Sequence, residues 1–322
     1  MDFASLYAPI DADMRAVDAV IRQRLQSDVV LVNQVAEYII SAGGKRMRPA
    51  LLLLVARACG YAGQRHHELA AVVEFIHTAT LLHDDVVDES ALRRGRDTAN
   101  AVFGNAASVL VGDFLYSRAF QMMVDAGDMR IMKILADATN IVAEGEVLQL
   151  MNCGNADISV DEYLHVIRYK TAKLFEAAAR LGAILGGGDS RAEDALAAYG
   201  MHLGTAFQII DDVLDYSGDE AETGKHVGDD LAEGKPTLPL IHVIKHGTPA
   251  QAATVRAAIT EMDRASFPAV LDAVRASGAL AHAHAHGIAE AEHAKAALSM
   301  LPDLKFRETL LQFADFAVRR GF

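Results

Sequence analysis

The sequence is poor in cysteine, proline, aromatic side chains and unbroken apolar runs. Its 322 residues include only 2 cysteines, Cys59 and Cys153. Two cysteines build neither a disulfide framework nor a cysteine zinc cluster. Both read as small buried apolar residues in a reducing compartment. With 7 prolines and 52% apolar residues, the chain is neither disordered nor fibrous. Tryptophan is absent and aromatics make up 6%, which leaves little surface for stacking on bases or sugars. No window reaches the roughly 18–20 apolar residues of a membrane helix. The start, Met1-Asp2-Phe3-Ala4-Ser5, lacks the basic region of a signal peptide. Positive charge is in deficit: 30 Lys and Arg against 43 Asp and Glu give −13. A fold that acidic is not a default nucleic-acid binder. The expectation is a cytoplasmic protein with no transmembrane segment and no nucleic-acid partner.

What is present reads as helix almost throughout. Ala, Leu, Glu and Arg are abundant, and all favour helices. Apolar residues recur at three and four, as in Leu69, Val72, Val73, Ile76, Ala79 and Thr80. Alternation of period two is nearly absent, so no sheet is expected. Ala50 to Ala58 and Thr98 to Val111 are apolar on more than one face, which marks helices surrounded by others. Val17 to Ile40 is amphipathic and reads as peripheral. Breakers fall at Gly43-Gly44, Gly60 to Gly63, Gly127-Asp128, Asn152 to Asp157 and Gly186 to Ser190, with a longer acidic stretch from Ser217 to Gly234. None is a linker, and composition shifts across none of them. The expected architecture is all-α: one domain over 1–322, with 1–30 as a peripheral N-terminal helix, and on the order of ten or more mostly antiparallel helices.

Two aspartate clusters carry the chemistry. One is His83-Asp84-Asp85-Val86-Val87-Asp88, and the other is Gln208-Ile209-Ile210-Asp211-Asp212-Val213-Leu214-Asp215. Each has the form D-D-x-x-D at the end of an apolar helical run. The outer aspartates, Asp84 with Asp88 and Asp211 with Asp215, share a helix face about one turn apart. Asp85 and Asp212 point about 100° away. Like charges beside apolar surface repel unless something compensates them. Mg²⁺ does so, binding carboxylates, waters and substrate phosphates together. Two such clusters facing each other would hold several ions over a diphosphate.

Cations cluster near these motifs. Gly43-Gly44-Lys45-Arg46-Met47-Arg48-Pro49 places three of them between a breaker and a helix start, without a P-loop pattern. Arg93-Arg94-Gly95 follows the first acidic cluster; Lys170, Thr171 and Lys173 form another group; Lys225 and Lys235 flank the second cluster. Arg suits bidentate phosphate binding, and Lys acts as a point charge. The combination describes a site for two phosphorylated groups, one metal-bound and one held by cations.

These landmarks, with Glu74 to Asp88, Gly145-Glu146-Val147-Leu148-Gln149 and Lys170-Thr171 in that order, resemble the trans-isoprenyl diphosphate synthases of the polyprenyl synthetase family. The likeness runs from about Val35 to the C-terminus. It implies a helical bundle around a central cavity and a chain-elongating prenyltransferase, with octaprenyl product for a quinone side chain as the nearest match. It also implies roles. Asp84, Asp88, Asp211 and Asp215 would bind Mg²⁺, about three ions per site. Arg93, Lys170, Thr171, Gln208, Lys225 and Lys235 would contact the allylic diphosphate. Lys45, Arg48, His77 and Arg94 would hold isopentenyl diphosphate. Asp84, Asp88, Lys170 and Asp211 would form the catalytic set, and a homodimer is the family expectation.

Residue size bears on product length. Ala79 and Thr80 lie about one turn before Asp84 and are not aromatic, which favours a long product. Met122 and Met123 are candidate tunnel lining or ordinary core. Alternatives are a shorter-chain geranylgeranyl synthase, a longer nona- or decaprenyl synthase, a metal-dependent phosphohydrolase built on His83-Asp84, and a silent partner subunit. His282, His284 and His286 alternate, and a helix puts His282 and His286 on one face. No carboxylate or cysteine spaced nearby completes a metal site there. His202 and His242 carry no clear sequence signal.

Overall fold

The computed structural model describes residues 3–217, 227–299 and 306–319. Helices dominate, in this order: α1 Phe3–Tyr7, α2 Asp11–Arg24, α3 Val30–Ser41, α4 Met47–Ala58, α5 Arg65–Val87, α6 Ala99–Phe103, α7 Asn105–Asp125, α8 Met129–Asn152, α9 Val160–Ile167, α10 Lys173–Leu185, α11 Ser190–Ser217, α12 Asp229–Ala232, α13 Leu238–His246, α14 Pro249–Glu261, α15 Phe267–Ala276, α16 Ala279–Ser299 and α17 Arg307–Val318. The all-α expectation holds with one exception. Strands β1 Leu92–Arg93 and β2 Arg96–Asp97 form a small antiparallel hairpin. Two residues per strand are too few to give a periodic signal. The turn between them, Arg94-Gly95, has φ of 55° and 72°, the two positive values of a type I′ turn. The segment 1–30 is not one helix: its described residues hold α1 and α2, and α3 begins at Val30.

The chain divides into two compact units. The first comprises Met1–Thr139, Leu174–Gly200 and Ala296–Phe313. Its centre is α4, in which Ala50 to Ala56 have no exposed surface. Each fully buried leucine there contributes roughly 1.5–3 kcal/mol. Gly182 of α10 makes close packing on α4 possible, because a Cβ there would lie 2.8 Å from the Leu52 carbonyl oxygen. Helix α5 is buried along most of its length and packs on α7. The two run antiparallel. His83 Nε2 reaches the Val109 carbonyl at one end, and Arg24 bridges Glu68 and Asp125 at the other.

The second unit comprises Asn140–Lys173, Met201–Lys295 and Ala314–Phe322. Tyr216, Leu231, Leu240, Val243, Val255, Ile259, Val270 and Val274 form one apolar cluster. Ile158, Tyr163, Ile167, Ile209, Val213, Leu238 and Ile241 form another. Gly287 lets α16 press on the 201–217 part of α11, where a Cβ would fall 2.8 Å from Ile210. Ser159 caps α9 through a reciprocal capping box with Glu162. No helix among the described residues is long and apolar enough to cross a membrane.

Candidate active site

In the first unit the cations gather around His77. Gly43 and Gly44 have φ of 74° and 135°, conformations that glycine adopts freely. Gly44 also lets an arginine pass: a Cβ there would lie 2.5 Å from the Arg94 guanidinium. Arg94 donates to the Gly43 carbonyl, and the Tyr7 hydroxyl donates to the Lys45 carbonyl. The loop is thus tied to both α1 and the hairpin. Arg46 closes it in a left-handed conformation, with φ of 49°. Its Nε lies 3.5 Å from Glu74, and its NH1 is buried with no hydrogen-bond partner. The Arg48 guanidinium stacks 4.5 Å over the Phe175 ring. His77 feels burial first, then the charges of Arg48, Arg94, Arg93 and Arg46, and is held well below its ordinary pKa. It is a neutral imidazole at pH 7. Glu74, beneath these arginines, is held above its ordinary value by burial, against the pull of Arg46, Arg94 and Arg48.

The first acidic cluster ends α5. Asp84 and Asp88 are partly exposed, and Asp85 is buried. The Asp88 amide bonds the Asp84 carbonyl at 2.8 Å, fixing both on the last helical turn. Asp85 Oδ1 accepts from Nε and NH2 of Arg93, each at 2.6 Å. The hairpin therefore carries two arginines with separate environments: Arg93 against the aspartates, and Arg94 with Glu74 and the glycine loop.

In the second unit α9 widens into a π-helical turn, Arg168–Ala172, which carries Lys170 and Thr171. Such widened turns recur at functional sites. Gly145 accommodates this turn, since a Cβ there would collide with the Lys170 backbone nitrogen. Lys170 Nζ pairs with Glu146 at 2.5 Å. Thr171 Oγ1 donates to Gln208 at 3.0 Å, Gln208 Nε2 donates to Asp212 at 2.8 Å, and Tyr163 OH donates to the other Asp212 oxygen at 2.6 Å. Burial, then the charge of Asp230, push the Asp212 carboxyl up to about 8, against the two donors. Asp211 and Asp215 are partly exposed. The Asp230 amide donates to Asp215 at 3.3 Å, and Lys235 pairs with Glu233.

The sequence-predicted residues thus form two local groups. Lys45, Arg48, His77, Asp84, Asp88, Arg93 and Arg94 belong to the first unit; Lys170, Thr171, Gln208, Asp211, Asp215 and Lys235 belong to the second. Lys225 lies outside the described residues. Ala79 and Met123 are fully buried, and Thr80 is partly buried. Sequence reasoning missed Glu74 as the carboxylate beneath the arginines and Tyr163 as the anchor of Asp212. Only a D-D step with one inward-turning aspartate hinted at the last.

Residues 29–275 match the Polyprenyl synthetase family profile. The chain is 55% identical over 309 residues to an octaprenyl diphosphate synthase of Escherichia coli, covering 96% of each chain. A polyprenyl synthase from Caulobacter crescentus, solved with calcium and isoprenyl diphosphate, is 46% identical with a TM-score of 0.95, covering 99% of this chain and 98% of that one. A decaprenyl diphosphate synthase from Rhodobacter capsulatus is also 46% identical, with a TM-score of 0.92 and full coverage of both chains. The chain belongs to the polyprenyl synthetase family. Its activity is that of a chain-elongating trans-polyprenyl diphosphate synthase, which sets aside the phosphohydrolase alternative.

Proposed function

We propose that the enzyme extends farnesyl diphosphate with successive isopentenyl diphosphates to an all-trans octaprenyl diphosphate, the precursor of a quinone side chain, as a cytoplasmic homodimer. The observation that carries this reading is the division of charge in the first unit: partly exposed carboxylates on one side of the hairpin, and arginines gathered around a neutral His77 on the other. That division suits two diphosphates held by different means.

Asp84, Asp88, Asp211 and Asp215 offer only carboxylate oxygens, the donor set of a hard divalent cation rather than of zinc. They would hold magnesium, about three ions. Bound there, magnesium neutralises charge that develops on the departing diphosphate. Arg93, fixed by Asp85, and Lys170, paired with Glu146, add fixed positive charge to the same leaving group, with Thr171, Gln208, Lys225 and Lys235 completing its contacts. Such preorganised charge lowers the barrier because it needs no rearrangement as the allylic C–O bond breaks. Lys45, Arg48 and Arg94 grip the diphosphate of isopentenyl diphosphate, and neutral His77 donates a hydrogen bond to it. The double bond of that substrate attacks the allylic cation. The proton then lost passes to the released diphosphate, so no side-chain base is required.

Small Ala79 and Thr80 leave room for a growing tail beside α5. The antiparallel pairing of α5 and α7 places Met123 level with the N-terminal half of α5, about 20 Å from Asp84 along the helix. Exposed Leu110 and Val124 on α7 supply apolar surface for a second copy. The test is one incubation of purified protein, Mg²⁺, farnesyl diphosphate and labelled isopentenyl diphosphate, with products sized by chromatography. A dominant octaprenyl product is expected. A product of another length refutes the octaprenyl assignment, and no elongation refutes the reading altogether. Light scattering should return twice the monomer mass of 34.6 kDa.

A further inference from the structure

We propose that the second unit carries a transition-metal site formed by His202, Glu290 and His293, separate from the aspartate clusters. His202 lies on α11, and Glu290 and His293 lie one turn apart on α16. One donor atom from each falls within 4.8 Å of the others. His202 Nδ1 sits 2.6 Å from Glu290 Oε2, and the two imidazole rings are 5.2 Å apart. Arg168 takes the opposite Glu290 oxygen, Oε1, at 3.2 Å, which orients the carboxylate and leaves Oε2 toward the histidines.

Two imidazoles and one carboxylate make the set that binds Zn²⁺ with a position left open for water. Their nitrogen donors discriminate against Mg²⁺ and follow the order in which Cu²⁺ and Zn²⁺ bind more tightly than Mn²⁺. The exposed His293 provides the entry path. A metal here clips α11 to α16. The other histidine group of this unit is arranged differently. The His242 ring lies 4.7 Å from that of His246 and 4.3 Å from that of His282, and the His282 ring lies 4.6 Å from that of His286, all tilted against one another. These rings form a string along two helices rather than a converging trio.

The test uses untagged, chelator-treated full-length protein in millimolar Mg²⁺, so that the aspartate clusters are saturated. Zn²⁺ is titrated by calorimetry, and Co²⁺ by visible absorption. The wild type should take one Zn²⁺ at micromolar affinity or better, raise its Tm, and give the intense Co²⁺ bands of a four-coordinate site. His293→Ala, at an exposed position, should fold normally and lose affinity by at least tenfold. His282→Ala should leave it unchanged. Absence of Zn²⁺ binding in the wild type, unchanged binding in His293→Ala, or loss in His282→Ala overturns the assignment.

Discussion

Asp85 has no exposed surface, and one of its carboxylate oxygens receives both Nε and NH2 of Arg93 at 2.6 Å. Burial opposes the Arg93 charge, but Asp85, Asp84 and Asp88 together hold it above its ordinary pKa. The inward aspartate of the first motif thus aims a cation at the carboxylates beside it. Asp85→Asn removes half of a buried pair, which costs roughly 3 kcal/mol of stability. The expected kinetic effect is a fall in kcat/KM of about tenfold or more with the allylic KM raised, each tenfold being about 1.4 kcal/mol. Asp85→Asn with unchanged kinetics would show that Arg93 needs no anchor.

The partly exposed aspartates carry a stronger prediction. Asp84→Ala should lower kcat/KM by at least ~100-fold, or about 2.7 kcal/mol, at saturating Mg²⁺. Steady-state rates over a Mg²⁺ series check it. Near-normal turnover would remove Asp84 from the site.

Product length is expected to respond at Ala79. This side chain is fully buried one turn above the acidic end of α5. Ala79→Tyr should shorten the product to about C15–C20 by filling the space one turn, ~5.4 Å, from the Asp84 and Asp88 carboxylates. Chromatography of the products decides it, and an unchanged distribution would mean that the tail does not pass α5 at this level.

Gly145 tests the π-helical turn. A methyl group there would collide with the Lys170 backbone. Overpacking of this kind costs typically about 1–3 kcal/mol. Gly145→Ala should therefore lower Tm and also lower kcat through displacement of Lys170. A variant with lowered Tm and wild-type kcat would separate the turn from catalysis.

Acid sensitivity is expected from a group at the far end of α5 from the aspartates. Asp13 accepts from Arg57, from His66 Nε2 at 3.1 Å and from His67 Nε2 at 2.8 Å. Burial, then the neighbouring His67, lower His66 to about 4, against the pull of Asp13. The unfolded chain takes up a proton near pH 6.5 that folded His66 refuses until about pH 4. Stability should therefore fall as pH drops through that window, on the order of 2 kcal/mol for this group. Asp13 itself is held below the usual carboxylate range: burial raises it, and the Arg57 and His67 hydrogen bonds more than offset that. Its contribution is present above the unfolded carboxylate pKa and is lost only at lower pH. Urea unfolding between pH 7 and 4.5 checks this, with His66→Asn giving the flatter profile.

Much of this was legible in the sequence because helical spacing is a local property. Asp84 with Asp88, and the divergence of Asp85 and Asp212, follow from about 100° per residue. What that geometry does not reveal is the partner across space. Nothing in the sequence near Glu74 tells that Arg46 and Arg94 converge on it, because those contacts join a loop, a helix and a hairpin far apart in the chain. The hairpin was missed since its cue is two positive φ values rather than a pattern of side chains. His202 carried no signal because its partners, Glu290 and His293, lie on another helix.

Arg46 and Arg94 both stand on left-handed backbone, a conformation that costs a non-glycine residue about 1–2 kcal/mol. That strain is met once, when the polypeptide folds, and long side chains that would otherwise wander are held near one address. An elongating synthase repeats the same addition many times on one growing molecule. A receptor that does not relax between rounds spares each new addition the entropy of gathering its own guanidinium groups.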